Sequence, residues 1–369
     1  MIIWLYGIIL FATGIYSYFL IDPNITFFQS PYWVQFRDWV VYLGYYRRDI
    51  SWIVYLTLLI LLFALHFILV KKYKHQSVIL LAAFVAILGC ISYPIFSHDL
   101  FNYLFDARIL THYGKNPYLF TALDFQGDLW TRFMHWTHRT YPYGPTFLPL
   151  SLIPSFLGVG KFSATFLLYK FMNSMFYFLA VFFLNKKNKR GAVFFATHPL
   201  IIIEGLINAH NDMIAVSLGL MGIYLLEKKY NIWSRILFLF SAGIKYVTAP
   251  IVILAPSLHI SRYMKLLFTF QIALIVYLCY RMEIQGWYFL SLFVFLPYFA
   301  GFIENLSILF AGLLLSYYPF IRLGAWTADT VLMKRYIIFV FIGIQIIYTL
   351  SLLVLKKINV SNYKNIQKK

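Results

Sequence analysis

Long apolar runs without charge alternate along this chain with short clusters of lysine and arginine. A membrane-crossing helix takes about 20 apolar residues. Residues 1–21, 51–70, 76–96, 161–184, 191–207 and 213–226 each read as a crossing, and residues 266–280, 285–303, 306–321 and 336–355 as four more. Residues 22–50 form a polar connection with an amphipathic middle. Residues 146–160 are short and hold Pro149 and Pro154, so they read as a re-entrant or half helix. Residues 234–258 are interrupted by Gly243, Lys245, Pro250 and Pro256 and form either one bent span or a hairpin; the two predict opposite faces for Glu304 and Arg322. The pattern predicts an all-α polytopic membrane protein, a bundle of ten to twelve helices forming one integral membrane domain over residues 1–369. The first apolar run has neither a basic start nor a small-residue cleavage site, so it is expected to be a retained span.

The basic clusters give an orientation. Lys71-Lys72-Tyr73-Lys74, the run Lys186–Arg190 and the basic tail 356–369 are expected on the cytoplasmic side of the cell membrane. The loop 97–145 and the segment Asn208–Asp212 then face the extracytoplasmic side. Composition agrees: 62% of residues are hydrophobic and 12% charged, against about 25% charged in soluble domains. A net charge of +18 would suggest nucleic acid in a soluble protein. Here it is expected to set topology and to meet anionic membrane lipid, with no nucleic-acid partner. Cys90 and Cys279 lie in apolar runs and suggest neither a disulfide framework nor a metal knuckle.

The 97–145 loop concentrates the polar chemistry that the spans lack. It holds four of the 13 acids, Asp99, Asp106, Asp124 and Asp128, and four of the nine histidines. If residues 99–110 are helical, Asp99, Tyr103 and Asp106 fall on one face. Arg108 is nine residues from Asp99, half a turn out of phase at about 100° per residue; it serves a different partner or the helix breaks. Asp99 is either a reactive carboxylate or an N-cap, while Asp124 and Asp128 read as a solvated loop face. His135 and His138, with His98 nearby, do not have the spacing of a metal site, and no metal or cofactor is expected. Asn116-Pro117-Tyr118 and Tyr141-Pro142-Tyr143-Gly144-Pro145 are turns that fold the loop back and build one wall of a site.

A second constellation lies in the apolar part. Glu204 sits inside a membrane run, where a carboxylate is costly and either functional or bonded to a neighbouring helix. Asn211 or Asp212 either caps the following helix or, with His210 and the helix N-terminus, helps to bind phosphate. Lys245 is a cation in an apolar segment without an adjacent acid; it either snorkels or meets an anionic ligand.

Several of these segments, in order, resemble a known group. Ser97-His98-Asp99, Tyr103-Leu104-Phe105-Asp106-Ala107-Arg108 and Gly114-Lys115-Asn116-Pro117-Tyr118 resemble the first-loop signature of bacterial GT-C glycosyltransferases of the mannosyltransferase-like, polyprenyl-phosphate-sugar-dependent families. Tyr141–Pro145, His198-Pro199-Leu200 through Glu204, His210-Asn211-Asp212 and Lys245-Tyr246 resemble later elements of the same families, so the likeness runs over residues 95–256. Two positions depart from that pattern: His98 stands for the first acid of a pair, and His198 for the asparagine before proline. The resemblance implies inverting, metal-independent transfer of a hexose, with mannose the first choice, from a polyprenyl-phosphate donor to a glycan or glycolipid acceptor. It implies Asp99 as general base, Asp106 and His98 beside it, and Arg108, His210 and Lys245 on the donor phosphate. Tyr103, Asn116, Tyr118, Tyr143, Asn211 and Asp212 would bind or orient substrate, and Glu204 would orient His210 or Lys245. The rival reading from another class is a secondary transporter or flippase, which would also use intramembrane charges and broken helices.

Overall fold

A computed structural model of the chain describes residues 2–254 and 260–366, and side chains over 2–254 and 262–355. The described residues form helices joined by loops, with no strand among them, in two compact units, residues 1–298 and 299–369. In the first unit α1 (Ile2–Ser17), α2 (Pro31–Val41), α3 (Arg48–Lys71) and α4 (Val78–Ile91) lead to the loop helix α5 (Asp99–Thr111). They are followed by α6 (Phe147–Leu157), α7 (Phe162–Lys187), α8 (Lys189–Thr197), α9 (Asp212–Glu227), α10 (Asn231–Ile244) and α11 (Ile260–Arg281). The chain kinks at Phe299 inside α12 (Leu296–Glu304), and the second unit holds α13 (Ser307–Leu315), α14 (Tyr318–Leu323) and α15 (Ala328–Ile366).

Five helical stretches among the described residues are long and apolar enough to cross a membrane, six if α8 and the helical turn after it count as one broken span. Five shorter apolar helices accompany them. The expected set of crossings thus resolves into full spans and short apolar helices. The reason is local. α4 ends at Ile91, where Ser92-Tyr93-Pro94 follows, and α8 ends at Thr197 because the residue before Pro199 is pushed out of helical geometry. The chain bends there by 65°.

The bend is stabilised from α7. Lys170, fully buried, donates from Nζ to Ser92 Oγ at 3.0 Å, to the Ile207 carbonyl at 2.9 Å and to the Leu206 carbonyl. Asn173 donates to the Gly205 carbonyl at 2.7 Å. These carbonyls end a π-helical stretch, Ile201–Ile207, whose wider turn leaves backbone groups without intrahelical partners. Lys170→Met is expected to lower stability by about 3–5 kcal/mol, because three buried acceptors lose a charged donor. A fall in detergent melting temperature measures it; an unchanged melting curve would remove Lys170 from this role.

Residues 231–253 form a hairpin. Arg235 donates to the Val252 carbonyl at 2.7 Å and Ser241 donates to Thr248 Oγ1 at 2.9 Å, so the 3-10 stretch Tyr246–Ile253 returns antiparallel to α10. Lys245, extended at φ −137°, ψ 109°, is the tip. The sequence-level alternative of one bent span is therefore not what residues 231–254 adopt; Pro256 lies outside the described residues.

Candidate active site

α5 begins where the apolar run of α4 gives way to Ser97-His98-Asp99. Ser97 Oγ accepts the Asp99 backbone N–H at 3.2 Å. Asp99 is therefore not the cap; it is the first helical residue, where the helix dipole favours a carboxylate. α5 runs unbroken to Thr111, which places Asp99, Tyr103 and Asp106 on one face. Tyr103 is fully buried, and its Oη accepts the Asn211 backbone N–H at 3.5 Å. Arg108, half a turn away, has partners of its own. Its Nε lies 2.6 Å from Asp128 Oδ2 and its guanidinium stacks 4.3 Å over the Trp130 ring. Tyr113 donates to the same carboxylate oxygen at 2.7 Å. Asp128, expected on a solvated face, is buried by this cluster, whereas Asp124 forms an exposed capping box with Thr121.

The π-helical stretch supplies the second half. Glu204, fully buried, accepts from Asn208 Nδ2 at 2.9 Å, and Asn208 Oδ1 accepts the Phe96 backbone N–H at 3.1 Å. A Cβ on Gly286 would stand 2.6 Å from Glu204 Oε1, so only glycine permits that approach. Ala209 takes a left-handed φ of 57°, which turns His210 back between the two carboxylates. His210 Nδ1 lies 3.5 Å from Asp99 Oδ2, and Nε2 lies 3.5 Å from Glu204 Oε2. The contacts are long for hydrogen bonds. Trp287 stacks on the imidazole at 4.2 Å and holds its plane.

The hairpin tip completes the cluster. Lys245 Nζ lies 2.7 Å from Asp212 Oδ2 and donates to Asn211 Oδ1 at 3.1 Å. Asp212 is 1% exposed, while the Lys245 side chain keeps 21%. Asn211 thus turns its side chain to the lysine and does not cap α9 with it. An ammonium has three donors, and these two contacts leave one for a further acceptor.

The loop closes over this group through the two proline turns. Asn116 Oδ1 accepts the Tyr118 N–H at 3.0 Å and Pro117 offers its carbonyl to the Tyr141 N–H at 2.9 Å. Asn116 shapes the turn, and half-exposed Tyr118 packs edge-on to Tyr141. Gly144 sits against the end of α10, where a Cβ would stand 2.0 Å from the Gly243 carbonyl oxygen. That contact sets Tyr143 edge-on to Tyr103 at 4.8 Å. His98 stacks on His135 at 4.2 Å with the rings 3° from parallel. Among the described residues, no three His, Cys, Asp or Glu side chains are placed to hold one metal ion.

Charge separates the two aspartates of α5. Burial raises the Asp99 pKa, but His210, then Lys245 and Arg139, outweigh it and hold the carboxyl below its ordinary value. Burial pushes Asp106 up to about 8, opposed by Arg139 and assisted by Asp99. At neutral pH Asp99 is an acceptor and Asp106 a hydrogen-bond donor. His98 is lowered to about 4 by burial and by the neighbouring His135. Between about pH 4 and 8 the folded protein keeps an Asp106 proton that the unfolded chain releases, so stability falls as pH rises through that window. Asp106→Asn is expected to flatten this slope and to retain activity above pH 8, where the native enzyme declines. Melting and rate profiles from pH 5 to 9 measure it, and parallel profiles for the two proteins would refute it.

Arg139, Gly286 and Trp287 are not singled out by the sequence, and Lys170 stands out only as the one charge in its span. Of the first three only Arg139 carried a usable signal, since it precedes the Tyr141–Pro145 turn. Arg139 lies 4.7 Å over the Trp136 ring, and its Nε is buried without a partner among the described residues.

The all-helical, polytopic membrane architecture of the described residues is consistent with a glycosyltransferase of GT-C type. Residues 9–260 match the family model described as alpha-(1->6)-mannopyranosyltransferase, N-terminal domain, and the chain belongs to that family. The match covers every clustered residue except Gly286 and Trp287. No curated protein and no solved structure matches the chain. Family membership makes the protein a mannosyltransferase, and the transporter or flippase reading gives way to an enzyme acting with a sugar donor and a glycan acceptor.

Proposed function

We propose that the protein transfers mannose, with inversion, from a polyprenyl-phosphate donor to a hydroxyl of a glycan or glycolipid on the extracytoplasmic face. The observation that carries this reading is the convergence of an ionised carboxylate, Asp99, with the Lys245 ammonium around His210 and Asn211. Inverting transfer needs one base and stabilisation of one leaving group. Asp99 takes the acceptor hydroxyl proton as that oxygen attacks the anomeric carbon. The bond from that carbon to the phosphate oxygen breaks, and the polyprenyl phosphate leaves carrying its negative charge. Lys245, with a donor to spare, meets that charge. Glu204 holds His210, and His210 holds Asp99 in place.

The buried hydroxyls of Tyr141, Tyr143 and Tyr169, with Arg139 Nε and Asn102 Oδ1, lack partners among the described residues. Their chemistry suits a polyhydroxylated ligand, which supplies both donors and acceptors. Arg108, bound to Asp128, serves the loop framework in this reading. The family description names an α-(1→6) bond. With inversion, such a product comes from a β-linked donor and a primary hydroxyl. Purified protein with polyprenyl-phosphate [14C]mannose and an α-mannoside acceptor is expected to yield a labelled α-(1→6)-mannoside and free polyprenyl phosphate. Retained label on the donor, or movement of intact donor across vesicles, would overturn the reading.

A further inference from the structure

At the end of the bundle away from Asp99, α1, the C-terminus of α3 and the N-terminus of α4 enclose an open cavity of ≈ 1210 Å³. Lys71, Lys72, Lys74 and His75 line it, and no acidic residue does. The basic turn is held in shape. Gln76, buried, donates from Nε2 to the Lys72 carbonyl at 3.2 Å, and Lys189 at the start of α8 donates to the Lys74 carbonyl at 2.9 Å. Ser77 Oγ accepts the Leu80 N–H and starts α4. The cations are therefore presented on a fixed turn.

A second cavity, ≈ 440 Å³, adjoins the first at Trp4, which lines both. It is an uncharged groove between α1 and α4, walled by Ile8 and Phe11 on one side and Phe84, Ile87 and Ile91 on the other. Gly7 forms part of its floor, and the Trp4 and Phe84 rings meet at 5.6 Å. From Phe84 to Ile91 the groove follows α4 for about 10 Å, at about 1.5 Å per residue. One leaflet of hydrocarbon is about 15 Å deep.

A fixed cationic head cavity beside an apolar groove that runs part-way through one leaflet matches an amphiphile with an anionic head and acyl chains. We propose that this is a binding site for an anionic glycerophospholipid, with its phosphate on Lys71, Lys72 and Lys74 and an acyl chain between α1 and α4. Unpartnered lysines near a membrane attract anionic lipid generally. What distinguishes this site is the concave head cavity with an apolar groove beside it. It is separate from the carboxylate–histidine cluster, since α4 carries the chain about 20 Å from one to the other. The proposal does not depend on which substrate that cluster uses.

Native mass spectrometry of the full chain in detergent tests it with phosphatidylglycerol, phosphatidylcholine and inorganic phosphate. The native protein is expected to retain phosphatidylglycerol at least tenfold over phosphatidylcholine. K71Q/K72Q/K74Q is expected to lose that preference, while K71R/K72R/K74R keeps it. Ile87→Trp, on a lipid-facing groove wall, is expected to weaken phosphatidylglycerol several-fold by filling the groove. Equal retention of the two lipids by the native protein, or full preference in the triple glutamine variant, overturns the proposal. So does an Ile87→Trp protein that binds as the native one, or displacement of the lipid by inorganic phosphate at equal concentration, which would assign the cavity to free phosphate.

Discussion

Asp99→Asn is expected to lower mannosyl transfer about a thousandfold, within the range seen when a general base is removed, with an unchanged melting curve. The amide is the same size and can keep a polar contact with His210, but it cannot take up a proton. Asp99 is otherwise prepared for the role. Its backbone is fixed by Ser97, its carboxylate faces His210 at 3.5 Å, and His210, Lys245 and Arg139 keep it ionised. A purely structural Asp99 would give the reverse pattern: a lower melting temperature and near-normal turnover per folded molecule. Rates measured against folded protein, with melting in the same detergent, separate the two. Near-normal turnover would remove Asp99 from the base role.

Lys245→Met is expected to abolish measurable transfer and also to destabilise the fold by about 3 kcal/mol. That cost is at the low end for breaking a buried pair, because the ammonium keeps some contact with solvent while Asp212 has almost none. The two effects need separating. In the double variant Lys245→Met/Asp212→Asn no buried charge is left unpaired, so stability is expected to return to within about 1 kcal/mol of native. Transfer is expected to stay lost, since nothing replaces the cation at the leaving phosphate. Recovery of transfer together with stability would show that Lys245 only neutralises Asp212.

The helical phase of the loop was readable without coordinates. Spacing alone grouped Asp99, Tyr103 and Asp106 and set Arg108 apart, and α5 bears out that division because a regular helix repeats its faces. The solitary charges Glu204, Lys170 and Lys245 were visible because the apolar runs around them make any charge costly. The partner of Glu204 was partly readable, since His210 was one of the two residues it was expected to orient, while the partners of Lys170 and Lys245 were not. Glu204 meets His210 and Asn208, whereas Lys245 meets Asp212, 33 residues earlier in the chain. Asp128 looked like a loop-surface acid until Arg108 and Tyr113 were seen to enclose it.

The sequence by itself determined that this is a polytopic helical membrane protein, since hydrophobic length and charge spacing respond to the bilayer residue by residue. It also determined which polar residues are out of place there, and the ordered motifs that the family match over residues 9–260 bears out. Tertiary structure decided everything that depends on a turn or a long-range approach. It folded residues 231–253 into a hairpin with Lys245 at its tip, turned His210 between two carboxylates through a π-helical stretch, and brought Arg139 and Trp287 to the cluster. Those placements follow from glycine approaches, proline breaks and buried hydrogen bonds between distant segments, and no periodicity along one segment reports them.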